Sequence, residues 1–329
     1  MGKSDNCSKE ECQKIVQEHW KEAWQSIQNI EFPATKVNPV TREDCIKEFD
    51  SLKAKDLNIK TKSNLITHFH QSLKYANRNG ALSPYDFWQK LKANSDFFIK
   101  FYENRLRYSD WYKAAGRKEY LQNGVIPSYV LGAGLSTSRR GAFVSYFKPA
   151  LSKYLIKKYL ATFDTIFDPC SGYSGRMLGA LSLGKNYIGQ DINDLSILES
   201  KRILKFLSKH FDLSKLTCDL KIEDSLKSKG QYPCLLTCPP YGAGSKTIEI
   251  WKNSKGKDII SNLSCEQWIE VFLKNYDCQK YVFVVDDDSN YFSKYQTEEF
   301  GNRSHLGTNY ERVIVITKEQ RDYEIFMKF

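Results

Sequence analysis

The chain contains no apolar run approaching the roughly 20 residues needed to cross a bilayer, so no membrane span is expected. Its first residues, MGKSDNCSKEECQK, are polar and lack the apolar core of a secretory signal. Gly2 is followed by Lys3, Ser4, Asp5 and Asn6, without the Ser or Thr that a myristoylation signal places at its sixth position. A cytoplasmic protein without a membrane partner is the expectation. Paired metal-ligand spacings are also missing. Cys7 and Cys12, or Cys234 and Cys238, have no matching second pair or nearby histidines to complete a zinc site. The nine cysteines are therefore read as small buried residues in a reducing cytosol, with no metal. Internal repeats and low-complexity tracts are lacking too.

What is present suffices for a large α/β domain and a smaller accessory one, at 329 residues. The net charge of +10 is uneven. Residues 1–50 carry 7 Lys+Arg against 10 Asp+Glu, whereas residues 51–130 carry 14 against 6. A basic block of this kind suits a polyanion, whose bound counterions are released on contact; a solvated lysine-rich surface accounts for it equally.

Residues 1–30 have a helical rhythm (Ile15, His19, Trp20, Ala23, Trp24, Ile27), broken by the prolines of segment 33–41. Thr41 and Asp44 are spaced to open a second helix. Residues 61–112 read as mostly helical and aromatic, including Phe87, Trp88, Phe98, Phe101, Tyr102, Trp111 and Tyr112, with Lys90, Lys92, Lys100, Arg105, Arg107 and Lys113 interleaved. Most of these rings are expected in the core of an N-terminal domain, residues 1–130, with one or two left to face nucleic acid.

The glycine-rich segment Gly124–Gly141 separates this region from a different pattern. From about residue 131 to 329, short apolar runs at 165–168, 187–191, 234–238, 281–286 and 312–317 alternate with helical stretches at 148–160, 175–183, 195–210 and 265–276. Strands alternating with helices predict an α/β, mostly parallel, doubly wound, Rossmann-like sheet.

Two loops of that sheet carry chemistry. The first strand runs into Asp168-Pro169-Cys170-Ser171-Gly172-Tyr173-Ser174-Gly175 and then a helix, a nucleotide-binding corner in which Gly172 and Gly175 permit a tight turn and close approach. A second strand ends at Asp191, placed to accept ribose hydroxyls, with Ile192 after it. The glycine spacing is not G-x-G-x-x-G, which counts against NAD or FAD. The fourth strand ends in Cys238-Pro239-Pro240-Tyr241. Two successive prolines remove two backbone donors and fix φ, so the chain leaves the sheet in a rigid extended form with its carbonyls available.

Asp-Pro-x-x-Gly together with Asp191 resembles the S-adenosylmethionine site of amino-methyltransferases, and Cys238-Pro239-Pro240-Tyr241 resembles the [D/N/S]-P-P-[Y/F/W] motif of the DNA enzymes among them. That family usually has glycine where this chain has Ser174, and Asp, Asn or Ser where it has Cys238, whose thiol is a weak acceptor. Phe147 and Pro149 resemble the helix that closes over the methionine part of the cofactor, and Asn309 to Ile316 resembles the late strand beside the base pocket. Asp224, with Ser225, matches the position that holds the adenine amino group; Glu223 as the acid, or Asp224 as a helix N-cap, are the alternatives.

The resemblance implies methyl transfer to the exocyclic amine of a flipped-out base in double-stranded DNA. Acceptors at 238 and the Pro239 carbonyl would localise the amine's lone pair, and Tyr241 would stack on the base. Ser-Pro-Pro-Tyr versions of the motif mostly accompany cytosine-N4 methylation, so N4 of cytosine is favoured over N6 of adenine. A cognate restriction endonuclease is a conceivable partner. The alternatives are an RNA enzyme, such as one acting on guanine N2, or an inactive DNA-binding subunit. A cytosine-C5 mechanism is excluded, because its nucleophile follows the prolines and Pro233-Cys234 lies at the wrong end of the strand. The late insert Ser289–Ser304 is short, which assigns target recognition to residues 1–130. The segment Gly242–Lys257 is expected either to fold over the bound strand or to remain a solvated loop.

Overall fold

A computed structural model describes residues 9–32, 40–78, 80–108, 144, 146–240, 248–285, 296–300 and 311–327. The chain forms two compact units, residues 1–39 with 74–143, and residues 40–73 with 144–329.

In the first unit, helix Lys9–Gln28 presents Val16, Ala23 and Ile27 on one face, the spacing an amphipathic helix requires. They pack with Phe87, Trp88 and Leu91 of helix Pro84–Ala93 and with Phe98, Phe101 and Tyr102 of helix Ser95–Tyr108. Ser83 caps the middle helix, accepting the Asp86 N–H at 3.0 Å, and Pro84 starts it. The indole N–H groups of Trp24 and Trp88 donate to the Leu91 and Ile30 carbonyls at 3.0 and 3.1 Å. These rings are therefore core, as expected for most of them. Trp111 and Tyr112 lie outside the described residues.

The second unit is built on a seven-stranded sheet. In chain order the strands of this unit are β1 (Thr165–Asp168), β2 (Asn186–Asp191), β3 (Cys218–Ile222), β4 (Gly230–Thr237), β5 (Glu249–Lys252), β6 (Asp258–Ile260), β7 (Tyr276–Val285), β8 (Gln296–Phe300) and β9 (Glu311–Thr317). The sheet order is β3-β2-β1-β4-β7-β9-β8, with β9 antiparallel to both neighbours and every other ladder parallel. Alternation along each strand feeds two cores, as the pleat dictates. Ile166, Leu236, Val282, Val284, Val313 and Val315 enter one cluster, together with helices Pro149–Tyr159, Gly175–Ser182 and Asp194–His210. Phe167, Leu235, Tyr281, Phe283, Ile314 and Ile316 enter the other, against Trp268, Ile269, Phe272 and Leu273 of helix Cys265–Asn275. Helices thus cover both faces, and the doubly wound α/β fold is as expected. Strand order reverses between β1 and β4, which opens a crevice at their carboxyl ends.

Three features differ from the sequence expectation. Residues 40–73 belong to the sheet unit rather than to a domain ending at 130. Thr41 opens helix Arg42–Ala54 with the expected capping box, and this helix contributes Cys45, Phe49 and Leu52 to the first core. Its C-terminal end is closed by a buried lysine: Lys153 Nζ donates to the carbonyls of Leu52 at 2.5 Å and Lys55 at 3.0 Å. Second, part of segment Gly242–Lys257 is strand β5, paired antiparallel with β6 through a turn at Asn253–Gly256. Third, the expected late insert contains β8, and helix Lys318–Met327 follows the last strand.

Carbonyls at a helix C-terminus carry partial negative charge and need donors. Lys153→Met keeps the stem and removes the donor. Leaving such groups buried and unsatisfied costs ~2 kcal/mol, so urea unfolding should show a loss of that size, whereas Lys157→Met, on the exposed side of the same helix, should stay close to the parent.

Candidate functional site

The crevice is organised from below by Asp168, which is fully buried at the end of β1. A carboxylate offers two acceptor positions on each oxygen, and protein groups fill all four. Oδ1 accepts from the Cys170 N–H at 3.2 Å and the Thr237 hydroxyl at 2.8 Å. Oδ2 accepts from Arg176 Nε and the Tyr187 hydroxyl, both at 2.6 Å. Burial and the Asp168 charge hold the Tyr187 phenol protonated, so it remains a donor. Burial opposes the Arg176 charge, but Asp168, together with Cys238 and Tyr187, raises its pKa on balance. Arg176 also donates to the Cys170 carbonyl and lies over the Phe147 ring at 4.8 Å.

Above this knot the loop turns sharply. Gly172 sits at φ 53 and donates its N–H to Asp191 Oδ2 at 2.8 Å. A Cβ on Gly175 would lie 1.8 Å from the Phe147 carbonyl oxygen, so only glycine admits this approach. Asp191 Oδ1 accepts the Asn193 N–H at 2.8 Å. Burial pushes the Asp191 pKa up to about 6, against the pull of these two N–H groups.

A cavity of about 360 Å³ opens here, within the range of small-molecule sites. Of the residues expected from sequence, Phe147, Pro169, Cys170, Gly172, Asp191, Ile192, Asp224, Ser225, Cys238, Pro239 and Pro240 line it together. Asp224 sits in a turn, where Oδ1 accepts the Leu226 N–H at 3.0 Å, and caps no helix. Cys238 Sγ approaches the Pro239 carbonyl only at 4.0 Å, a weak contact that leaves the oxygen able to accept.

Four expected residues are not on the cavity wall. Asp168 lies beneath it, with its acceptor sites filled by protein. Ser174 and Gly175 are buried behind the loop, and Pro149 is buried as the first residue of its helix. Tyr241, Asn309 and Tyr310 lie outside the described residues. Sequence reasoning missed Arg176, adjacent to the glycine loop, and Tyr146 and Tyr173. It also missed Glu249 and Trp251 of β5 and Trp268 of the following helix, which reach the cavity from nine or more residues beyond the Pro-Pro turn without any local motif. Among the described residues no group of His, Cys, Asp and Glu is arranged to hold a metal ion, and no helix is long and apolar enough to cross a membrane.

No family model and no curated protein sequence matches the chain. Solved structures match part of it. A SAM-dependent methyltransferase from Agrobacterium tumefaciens aligns at 12% identity and a TM-score of 0.37, covering 55% of this chain and 66% of that one. A human methyltransferase 10 domain containing protein aligns at 12% and 0.37, covering 54% and 85%. The hMettl16 catalytic domain, solved with a MAT2A 3'UTR hairpin, aligns at 11% and 0.36, covering 54% and 72%. No residue assignment rests on these partial overlaps.

The raised Asp191 pKa sets a pH test. The folded protein holds that proton up to about 6, above the ordinary carboxylate value, so the group stabilises the fold at low pH and that contribution is lost as pH rises through about 6. Asp191→Asn does not titrate. Its urea midpoint, compared with the parent, should therefore improve between about pH 5 and pH 7.5; an unchanged difference across that window would show that Asp191 has an ordinary pKa.

Proposed function

We propose that the chain is an S-adenosylmethionine-dependent methyltransferase acting on the exocyclic amine of a DNA base. The observation that carries this reading is the charge of the cavity. Asp191, Asp224 and Glu249 line it, Asp224 lying 3.2 Å from the exposed Lys227, and Arg176, the one cation among its described lining residues, is paired with Asp168. Such a wall favours a cationic ligand and disfavours the pyrophosphate of a dinucleotide. Asp191 keeps one acceptor position on each oxygen, which suits the two hydroxyls of a ribose. Ile192 and Leu226, 53% and 43% exposed, offer apolar surface to an adenine. When bound, the cofactor would supply an electrophilic sulfonium methyl.

The protein's part is positioning. The rigid Cys238-Pro239-Pro240 turn would aim the carbonyls of residues 238 and 239 at the two amine hydrogens, localising the nitrogen lone pair. The localised pair would make the nitrogen a nucleophile toward that methyl, and the nitrogen would give up its proton to solvent. Trp251 and Trp268 add aromatic surface to the same cavity, where a base can stack. Cytosine N4 is favoured, because Cys238 is closest in size to the serine of cytosine-N4 enzymes. The basic block of residues 51–130 suits double-stranded DNA, and a restriction endonuclease would give the mark a protective role.

Labelled cofactor offered with duplex DNA, tRNA and rRNA, followed by nucleoside mass spectrometry, tests this. Label should appear in DNA as N4-methylcytosine; N6-methyladenine would correct the base, label confined to RNA would overturn the DNA assignment, and no transfer would overturn the enzyme. Pro240→Ala should abolish transfer with cofactor binding nearly unchanged. Asp191→Ala should weaken cofactor binding at least about tenfold, the worth of one hydrogen bond to a charged group.

A further inference from the structure

Ser174 is the one non-glycine residue with positive φ among the described residues, at φ 66 and ψ −1. The left-handed region costs an ordinary L residue roughly 1 kcal/mol, so something must hold it there. Ser174 stands at the N-terminus of helix Gly175–Ser182, yet its hydroxyl makes no capping bond. Instead Oγ lies 2.7 Å from His70 Nε2 and 2.6 Å from Ser200 Oγ. His70 is buried, and its Nδ1 lies 3.1 Å from Glu199 Oε2. Glu199 is itself fixed by the Ser72 N–H at 3.0 Å and the Ser72 hydroxyl. The His70 ring also stands edge-on to Tyr173, with ring centres 5.2 Å apart, and Tyr173 lines the cavity.

Burial lowers the His70 pKa, against the pull of Glu199, and so favours the neutral ring. A carboxylate only accepts, so Nδ1 carries the proton and Nε2 accepts the Ser174 hydroxyl. Serine, histidine and carboxylate in this order occur in hydrolytic triads. Here the serine is 1% exposed and off the cavity wall, so no substrate carbonyl can reach it. The arrangement is a clamp on the loop.

We propose that His70 is a positioning residue that holds Ser174 in its left-handed turn and thereby fixes Gly172 and Tyr173 against the bound cofactor. The proposal rests on the cofactor site described above. Two substitutions separate the two ring nitrogens. In His70→Gln the amide reaches the Nε2 position and can keep Ser174. In His70→Asn it reaches only the Nδ1 position, which satisfies Glu199 and releases Ser174. Glycine adopts positive φ without strain, so adding Ser174→Gly to His70→Asn should make the clamp unnecessary.

Amide exchange of residues 170–176 is measured in the free protein, and S-adenosylmethionine affinity by calorimetry. His70→Asn should speed exchange and weaken affinity about five- to tenfold, the equivalent of that strain, with kcat at saturating cofactor within about twofold because the reacting end is untouched. His70→Gln should stay near the parent, and the double variant should recover most of the lost affinity. Equal losses in Asn and Gln, or no recovery with glycine, would overturn the clamp and leave His70 as core filling. If the parent binds no S-adenosylmethionine, the cofactor reading fails, and the exchange comparison still decides the clamp by itself.

Discussion

Everything at the crevice depends on one buried carboxylate. Asp168 ties together the ends of β1 and β4, the start of the helix after the glycine loop, and Tyr187 of the neighbouring strand. In water each of these partners would be hydrated separately. In the interior, an unpaired charge is so unfavourable that all four donors must converge, and breaking a buried pair costs about 3–5 kcal/mol. The two loops with sequence motifs, one at residue 168 and one at 238, are consequently fixed relative to each other by the same atom pair of oxygens. The cavity is a shape imposed by its foundation.

This also explains what the sequence could and could not disclose. The apolar runs of β1, β4, β7 and β9 were legible because each strand is buried on both faces, which calls for apolar residues at successive positions. The Thr41–Asp44 cap was legible because its partners lie three residues apart. The role of Asp168 was not: a carboxylate after a strand looks the same whether its acceptors face a ligand or are filled by Arg176, Tyr187 and Thr237. Nor was the contribution of His70, 104 residues from Ser174, or of Glu249 and Trp268. Their pairing is decided by how the chain folds back, and no local spacing records it. Residues 40–73 group with the sheet unit for a related reason, since the helix Arg42–Ala54 is attached by Lys153, about a hundred residues away.

Charge is distributed with opposite signs at two scales. The whole chain is basic, at +10, while the described cavity wall carries three carboxylates and a neutralised guanidinium. Long-range attraction of a polyanion and short-range selection of a cation are compatible, because screening confines the cavity's field to roughly a Debye length, about 8 Å at physiological salt. Under the methyltransferase reading, a site that prefers a sulfonium would also release the neutral thioether product more readily than it holds the cofactor.

The sheet's cysteines add a last consequence. Burial pushes the Cys218 and Cys278 thiols up to about 12, and Cys234 and Cys170 are raised as well. Oxidants and alkylating reagents attack the thiolate, and at neutral pH a thiol of that kind is ionised in on the order of one molecule in 10⁵. These four thiols, three in the sheet and one in the cavity loop, are therefore poor targets for such reagents at neutral pH.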